Sequence, residues 1–263
     1  MDVHDLVTEH YGGGDLTGSI LKALAENGVD TKALGPADLF GVDQLHAGGP
    51  ESTRYALDRL DVGPGVRLLD VGSGIGGASR MAAMAGAEVT GIDLSPDFVA
   101  TATALTERVG LADRATFLTT AGEALPLEDA SFDAAVMVHV GMNIPDKQAV
   151  FAEVHRVLVP GSRFAVYEQM RASEGDLPYP LPWADDERSS FVESAEEYSR
   201  HLESAGFTIE DVDDRTASTL SPPPPGALTP AVVFGQPFIQ RVGNNVAATK
   251  AGLLGAILIV ARA

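Results

Sequence analysis

The run Leu68, Leu69, Asp70, Val71, Gly72, Ser73, Gly74, Ile75, Gly76, Gly77 joins an apolar segment to a cluster of glycines. Glycines at a strand-to-helix turn let the backbone approach a ligand with no Cβ in the way, at the sheet edge where open α/β folds bind nucleotides. Gly72, Ser73, Gly74 and Gly76 are therefore candidate ligand contacts. Asp93 ends the next apolar segment, just before Leu94, where a carboxylate offers acceptors to two vicinal ribose hydroxyls. Asp70 lies two residues before the first glycine. A carboxylate there crowds a pyrophosphate and suits a ligand carrying an ammonium group, or it accepts hydrogen bonds from the glycine-loop amides. His139 and Glu168 end two later apolar segments, at the carboxyl edge where such sheets bind ligands. Each is placed to serve as a base or to serve the fold, His139 by bonding Asn143 or backbone and Glu168 by anchoring the loop after it.

The elements that must position these groups follow from periodicity. Between residues 66 and 168 short apolar runs alternate with helical patterns, the signature of βαβ units around a parallel sheet. Strands are expected over residues 66–71, 88–93, 115–118, 132–139 and 163–168, with two more at 207–212 and 253–261. Ser95 followed by Pro96 reads as a helix start, with Phe98, Ala102, Leu105 and Val109 on one face. A second helix starts near Pro145, turns Val150, Val154, Val157 and Leu158 inward, and ends before Pro160 and Gly161. Residues 1–60 read as an amino-terminal cap with helices at 16–27 and 52–60 and a loop at 41–50. Residues 61–170 form the core and 171–195 a lid of irregular chain with two X-Pro pairs. Residues 196–263 complete the core through a helix at 195–205, a stiff turn at 222–225 and a continuous helix over 228–251.

Composition narrows the partners. A net charge of -19 over 263 residues leaves no basic surface for nucleic acid or anionic lipid. The chain has no cysteine, which excludes disulfides and thiolate metal sites. Asp185, Asp186 and Glu187 read as a solvated acidic turn, so no metal is expected. The first fourteen residues lack the basic and apolar regions of a signal peptide, and the apolar run at 252–260 is far short of a membrane span of roughly 20 residues. A cytoplasmic protein is the expectation.

The ordered motifs resemble the class I S-adenosylmethionine (SAM)-dependent methyltransferases. The glycine loop, residues 91–95, Leu125 and Pro126 with residues 131–133, and residues 156–161 carry the resemblance. It implies a Rossmann-like, doubly wound α/β fold with a seven-stranded sheet whose last strand is antiparallel, SAM as cofactor, and methyl transfer to a small-molecule acceptor. A nitrogen or oxygen nucleophile is favoured, with carbon next. Asp93 then holds the ribose, the glycine loop flanks the amino acid part of SAM, and Gly122 and Glu123 line the adenine pocket. Two positions depart from the family pattern. Thr120, Ala121 and Gly122 stand where members commonly have a Gly-Asp-Ala type sequence, and Ser162 replaces a second glycine. Residues 11–24, 42–49, 139–147 and 167–183 are also similar to sarcosine and dimethylglycine N-methyltransferases. By residue type and place in the chain, Tyr11 and His46 close over the cofactor or pack against the core, His139 contacts cofactor or acts with Glu168 as catalytic base, and Tyr179 and Trp183 line the acceptor pocket or anchor the lid. The other readings are a SAM-binding protein without catalysis and an NAD-dependent oxidoreductase, the latter disfavoured by Asp70.

Overall fold

Leu68 and Leu69 point to opposite faces of the first strand, β1 (Arg67–Val71), and both are fully buried, so covering layers are needed on both sides. The computed structural model describes residues 15–221 and 228–263. Its strands continue as β2 (Glu88–Asp93), β3 (Ala115–Thr119), β4 (Phe132–Val138), β5 (Leu158–Arg171), β6 (Thr208–Asp214) and β7 (Leu254–Arg262). They form one sheet in the order β3-β2-β1-β4-β5-β7-β6. Strands β1 to β5 pair in parallel, and β7 runs antiparallel to both β5 and β6. The sheet is the seven-stranded, doubly wound arrangement expected, with the last strand reversed.

The period of two along the strands sorts the core. Leu69, Val71, Ala135, Met137, Phe164 and Val166 share one face with Val150, Phe151 and Val154 of α5 (Lys147–Val157) and with Tyr198 and Leu202 of α6 (Ala195–Ser204). Leu68, Val89, Ala134, Val136 and Ala165 share the other with Ala56 and Leu57 of α2 (Gly49–Asp58) and with Met81, Ala82 and Ala83 of α3 (Gly77–Met84). A third cluster joins Ile20 and Leu24 of α1 (Leu16–Glu26) to Phe98, Leu105 and Val109 beside α4 (Pro96–Arg108). The cap expected from sequence at Ser95 forms, with Oγ accepting from Phe98 N at 3.3 Å; the helix expected to start near Pro145 is capped by Asp146, which accepts from Ala149 N at 3.0 Å.

Three elements differ from their sequence expectation. Strand β5 extends from Leu158 to Arg171 because β7 pairs with it continuously from Arg163 to Arg171, so the first residue of the expected lid is still sheet. The helix expected over 228–251 is two helices, Ala231–Phe234 and α7 (Gln236–Lys250). Gly235 between them has φ 76°, and Pro237 in the first turn of α7 has no N–H to continue the ladder. The loop expected at 41–50 begins inside a helical turn, Phe40–Asp43, whose Val42 is buried. The expected turn at 222–225 lies outside the described residues. Among the described residues no helix is long and apolar enough to cross a membrane.

Arg80 on α3 is fully buried, and its guanidinium ties three parts together. Nη2 donates to Asp43 Oδ2 of the cap at 2.9 Å and to Ile75 O of the glycine loop at 2.8 Å, while Nη1 donates to Thr106 Oγ1 of α4 at 3.1 Å. Burial pushes the Asp43 carboxyl up even against this partner. Removing one member of such a pair strands a charge in the interior, which typically costs about 3–5 kcal/mol. Arg80→Ala should therefore lose about that much stability in urea unfolding. A loss under about 1 kcal/mol would mean that the pair does not hold cap and core together.

Candidate active site

The sheet order reverses at β1: the chain runs outward through β2 and β3, then returns to place β4 on the other side. This is the switch point at which open α/β sheets form a crevice beyond their carboxyl ends. A cavity lies there, lined by Asp70 and Val71 of β1, Gly72, Ser73 and Gly74, Asp93 and Leu94 after β2, Ala121, Gly122 and Glu123 after β3, and Val138, His139 and Val140 at the end of β4. The cap closes one side with Gln44, Leu45 and His46.

The glycine loop is shaped by what surrounds it. Gly72 has φ +69°, and a Cβ there would fall 2.4 Å from Val140 Cγ2. Gly74 has φ +54°, and a Cβ there would meet only Leu45 Cδ1, at 3.8 Å, so this glycine leaves its space to the cavity. Ser73 N donates to Ile92 O at 2.8 Å, and its buried Oγ has no partner. Asp93 Oδ2 accepts from Gly74 N and Oδ1 from Ser95 N, both at 2.8 Å. The loop and the end of β2 are thus locked together, and each carboxylate oxygen keeps a second lone pair. Asp70 is buried and accepts from Ser79 Oγ at 2.6 Å. Burial, reinforced by the charge of Asp93, pushes its carboxyl up to about 6.

Opposite these acids stand two neutral imidazoles. His139 has φ +55°, an uncommon conformation for a residue with a side chain, and its N–H donates to Tyr167 O at 2.8 Å. Its Nε2 is buried without a partner. The ring lies 5.5 Å from His46 and 5.2 Å from Tyr167, centre to centre. His46 Nδ1 is 3.1 Å from Ala47 O, and Nε2 is 2.8 Å from Thr53 Oγ1 and 3.1 Å from Gln44 Oε1. Burial lowers His46 to about 4 and, with His46 beside it, holds His139 well below the usual histidine range.

A methyltransferase domain model matches residues 69–166, the stretch that builds most of this cavity. Methyltransferase GfsG of Streptomyces halstedii is 30% identical over 210 residues, spanning 78% of this chain and 75% of the relative. The chain belongs to the class I SAM-dependent methyltransferases. Sterol 24-C-methyltransferase ERG6B of Gibberella zeae is 36% identical over 115 residues, 43% of this chain and only 30% of that protein, so the chain spans less than a third of its length. The crystal structure of geranyl diphosphate C-methyltransferase from Streptomyces coelicolor A3(2), at 17% identity, superposes with a TM-score of 0.72 over 100% of this chain and 98% of that one, and shows the shared fold.

The methyltransferase brings most of the expected residues together but not all. Gly76 does not line the cavity; it has φ +86° at the start of α3, where a Cβ would strike Arg80 Nη1 at 2.7 Å. Tyr11 lies outside the described residues. Tyr179 and Trp183 do not reach the cavity as expected for an acceptor pocket. Trp183 is 3% exposed, packs with Met142, Leu177, Leu181 and Ala248, and donates from Nε1 to Ser190 Oγ at 2.9 Å. Tyr179 packs against the same cluster. Apolar area is better buried against the returning α7 than left facing a wet cleft.

Glu168, expected as a catalytic group, is likewise beneath the site. It is fully buried, and Oε1 accepts from Val140 N at 2.9 Å and Gly141 N at 3.0 Å, which anchors the turn that carries His139. What sequence reasoning missed is the set of groups that orient the site: Asp43, Thr53, Ser79 and Arg80. No local spacing links residue 43 to residue 80, so only tertiary contact reveals them.

Burial raises Glu168 from a usual value near 4.5 to about 7. The folded state thus binds this proton more tightly than the unfolded chain. The associated stability is complete below pH 4.5 and is lost as pH rises to about 7, amounting to something on the order of 3 kcal/mol. Glu168→Gln keeps one oxygen for both amides and cannot ionise, so its stability in urea unfolding should fall less between pH 5 and pH 8 than that of the parent. The same slope in both proteins would remove Glu168 as the titrating group.

Proposed function

We propose that this protein transfers a methyl group from SAM to a small-molecule acceptor. One observation carries this reading: a single cavity holds Asp70, Asp93 and an open glycine position along β1 and β2, with the neutral imidazoles of His139 at the end of β4 and His46 on the cap. SAM supplies an electrophilic methyl on a sulfonium whose departure as a neutral thioether needs no acid, so positioning carries much of the work.

The residues fit that cofactor. Asp93 accepts from the ribose hydroxyls on the lone pairs its backbone partners leave free. Asp70 faces the amino acid part across Gly72 and Gly74, and a bound ammonium favours its ionised form. The unpartnered Ser73 Oγ is available to the same ligand. Gly122, Glu123 and Leu94 border the adenine, where Ala121 contributes no carboxylate. His46 closes the site from the cap, and His139 receives a proton when the acceptor must lose one. The net charge of -19 supports a small-molecule partner over nucleic acid.

Titration calorimetry tests the cofactor assignment. SAM and its demethylated product should bind, NAD should not, and Asp93→Ala should weaken both SAM ligands by about 2 kcal/mol, the worth of hydrogen bonds to a charged acceptor. Unchanged affinity would take Asp93 out of the site. Gly74→Val should stay folded by circular dichroism and lose SAM binding, because its side chain would occupy ligand space. His139→Ala should keep SAM affinity while turnover with an acceptor that must lose a proton falls roughly 100-fold or more. Loss of SAM affinity instead would make His139 a cofactor contact rather than a base.

A further inference from the structure

The sheet order divides the cavity. A cofactor laid from Gly122 and Glu123 past Asp93 to Asp70 follows β3, β2 and β1, which leaves the end of β4 for the acceptor. That region is walled by Leu45, Val138, Val140 and Ile144, with His46, His139, Gln44 and Asn143 as its polar groups, none of them a lysine, arginine or acid. Among the described residues no lysine or arginine lines the cavity. The nearby guanidinium of Arg80 is engaged by Asp43, Ile75 O and Thr106. Residues 1–14 and 222–227 contain no lysine or arginine either. A phosphate or carboxylate on the acceptor would therefore be desolvated without a side-chain counter-ion.

The opposite charge is no better served. Of the acids at or beneath the cavity, Asp70 is bonded to Ser79, Asp93 to two backbone amides and Asp43 to Arg80, Glu123 follows β3, and Glu168, beneath the end of β4, is turned to Val140 N and Gly141 N. The walls around the imidazoles disfavour a buried cation, and an ammonium placed there would also face the sulfonium. A hydroxyl meets neither objection. It is uncharged, it can both donate and accept, and His139 has a buried Nε2 without a partner.

Resting on the SAM-dependent reading above, we infer that the acceptor is an uncharged, largely apolar molecule methylated on a hydroxyl oxygen, with its proton leaving onto His139. The acceptor oxygen forms its bond to the methyl carbon as the sulfur–carbon bond breaks, and that electron pair stays on the thioether sulfur. The hydroxyl proton passes to the imidazole. One positive charge leaves the sulfonium as one appears on His139, so the apolar end of the cavity never holds two.

The test uses matched acceptors that share a skeleton and differ in one group: geraniol, geranylamine and geranyl phosphate, and menthol, menthylamine and menthyl phosphate. Calorimetry with the demethylated SAM product comes first; failure to bind it defeats the cofactor reading and not this one. Equilibrium dialysis of each probe against that complex should then show at least one alcohol binding about 10-fold or more tighter than its amine and phosphate partners, a difference of about 1.4 kcal/mol. Incubation with SAM should yield the methyl ether of that alcohol by mass spectrometry, with the ether lost in His139→Ala while calorimetry shows the demethylated product still bound. Preference for an amine or a phosphate, methylation on carbon or nitrogen, or no binding by either alcohol overturns the inference.

Discussion

The site depends on one buried ion pair. Arg80 rises from α3 into a space bounded by the cap, the glycine loop and α4, and donates to all three. From its partner a polar chain continues outward: Gln44 Nε2 donates to Asp43 Oδ1 at 2.9 Å, and Thr53 Oγ1 donates to Gln44 Oε1 at 2.6 Å. Because Asp43 is an acceptor, it dictates which end of the Gln44 amide faces His46. Arg80 meets Asp43, 37 residues earlier in sequence, so a charge in the core fixes the orientation of the neighbouring Gln44, which lines the cavity. Buried polar groups joined in this way constrain one another, so the cap and the glycine loop are held in fixed relation through the two terminal nitrogens of Arg80.

A second constraint is how charge is distributed around the crevice. The protein is strongly acidic overall, and the acids lining the crevice lie on β1, on β2, after β3 and on the cap, while the turn after β4 and the cap each add an imidazole held neutral by burial. On the reading proposed above, a cationic cofactor is drawn to the acids of β1 and β2.

The turn after β4 shows how the fold supports an unfavourable local conformation. A left-handed residue with a side chain costs about 1–3 kcal/mol and persists only where its surroundings fix it. His139 is fixed from two sides, by Tyr167 O on its own amide and by Glu168 on the next two. The carboxyl does this from beneath the site. Its value to the chemistry is the position of another residue.

Much of this was legible in the sequence, for reasons local to the chain. Alternating apolar residues specify strands, Ser95 and Pro96 specify a helix start, and glycines at 72 and 74 specify a turn that no other residue type adopts freely, so the fold family and the shape of the glycine loop could be read directly. The break at Gly235 could have been read the same way, because Pro237 follows it. Other features carry no local signature. Whether an acid such as Glu168 faces ligand or anchors a turn, whether Trp183 lines a pocket or fills a satellite core, and which acid meets Arg80 are decided by packing between distant segments. The sequence by itself determined which backbone conformations and buried faces were possible; only the tertiary structure decided which polar groups met, because hydrogen bonds between distant residues depend on positions that no local spacing encodes.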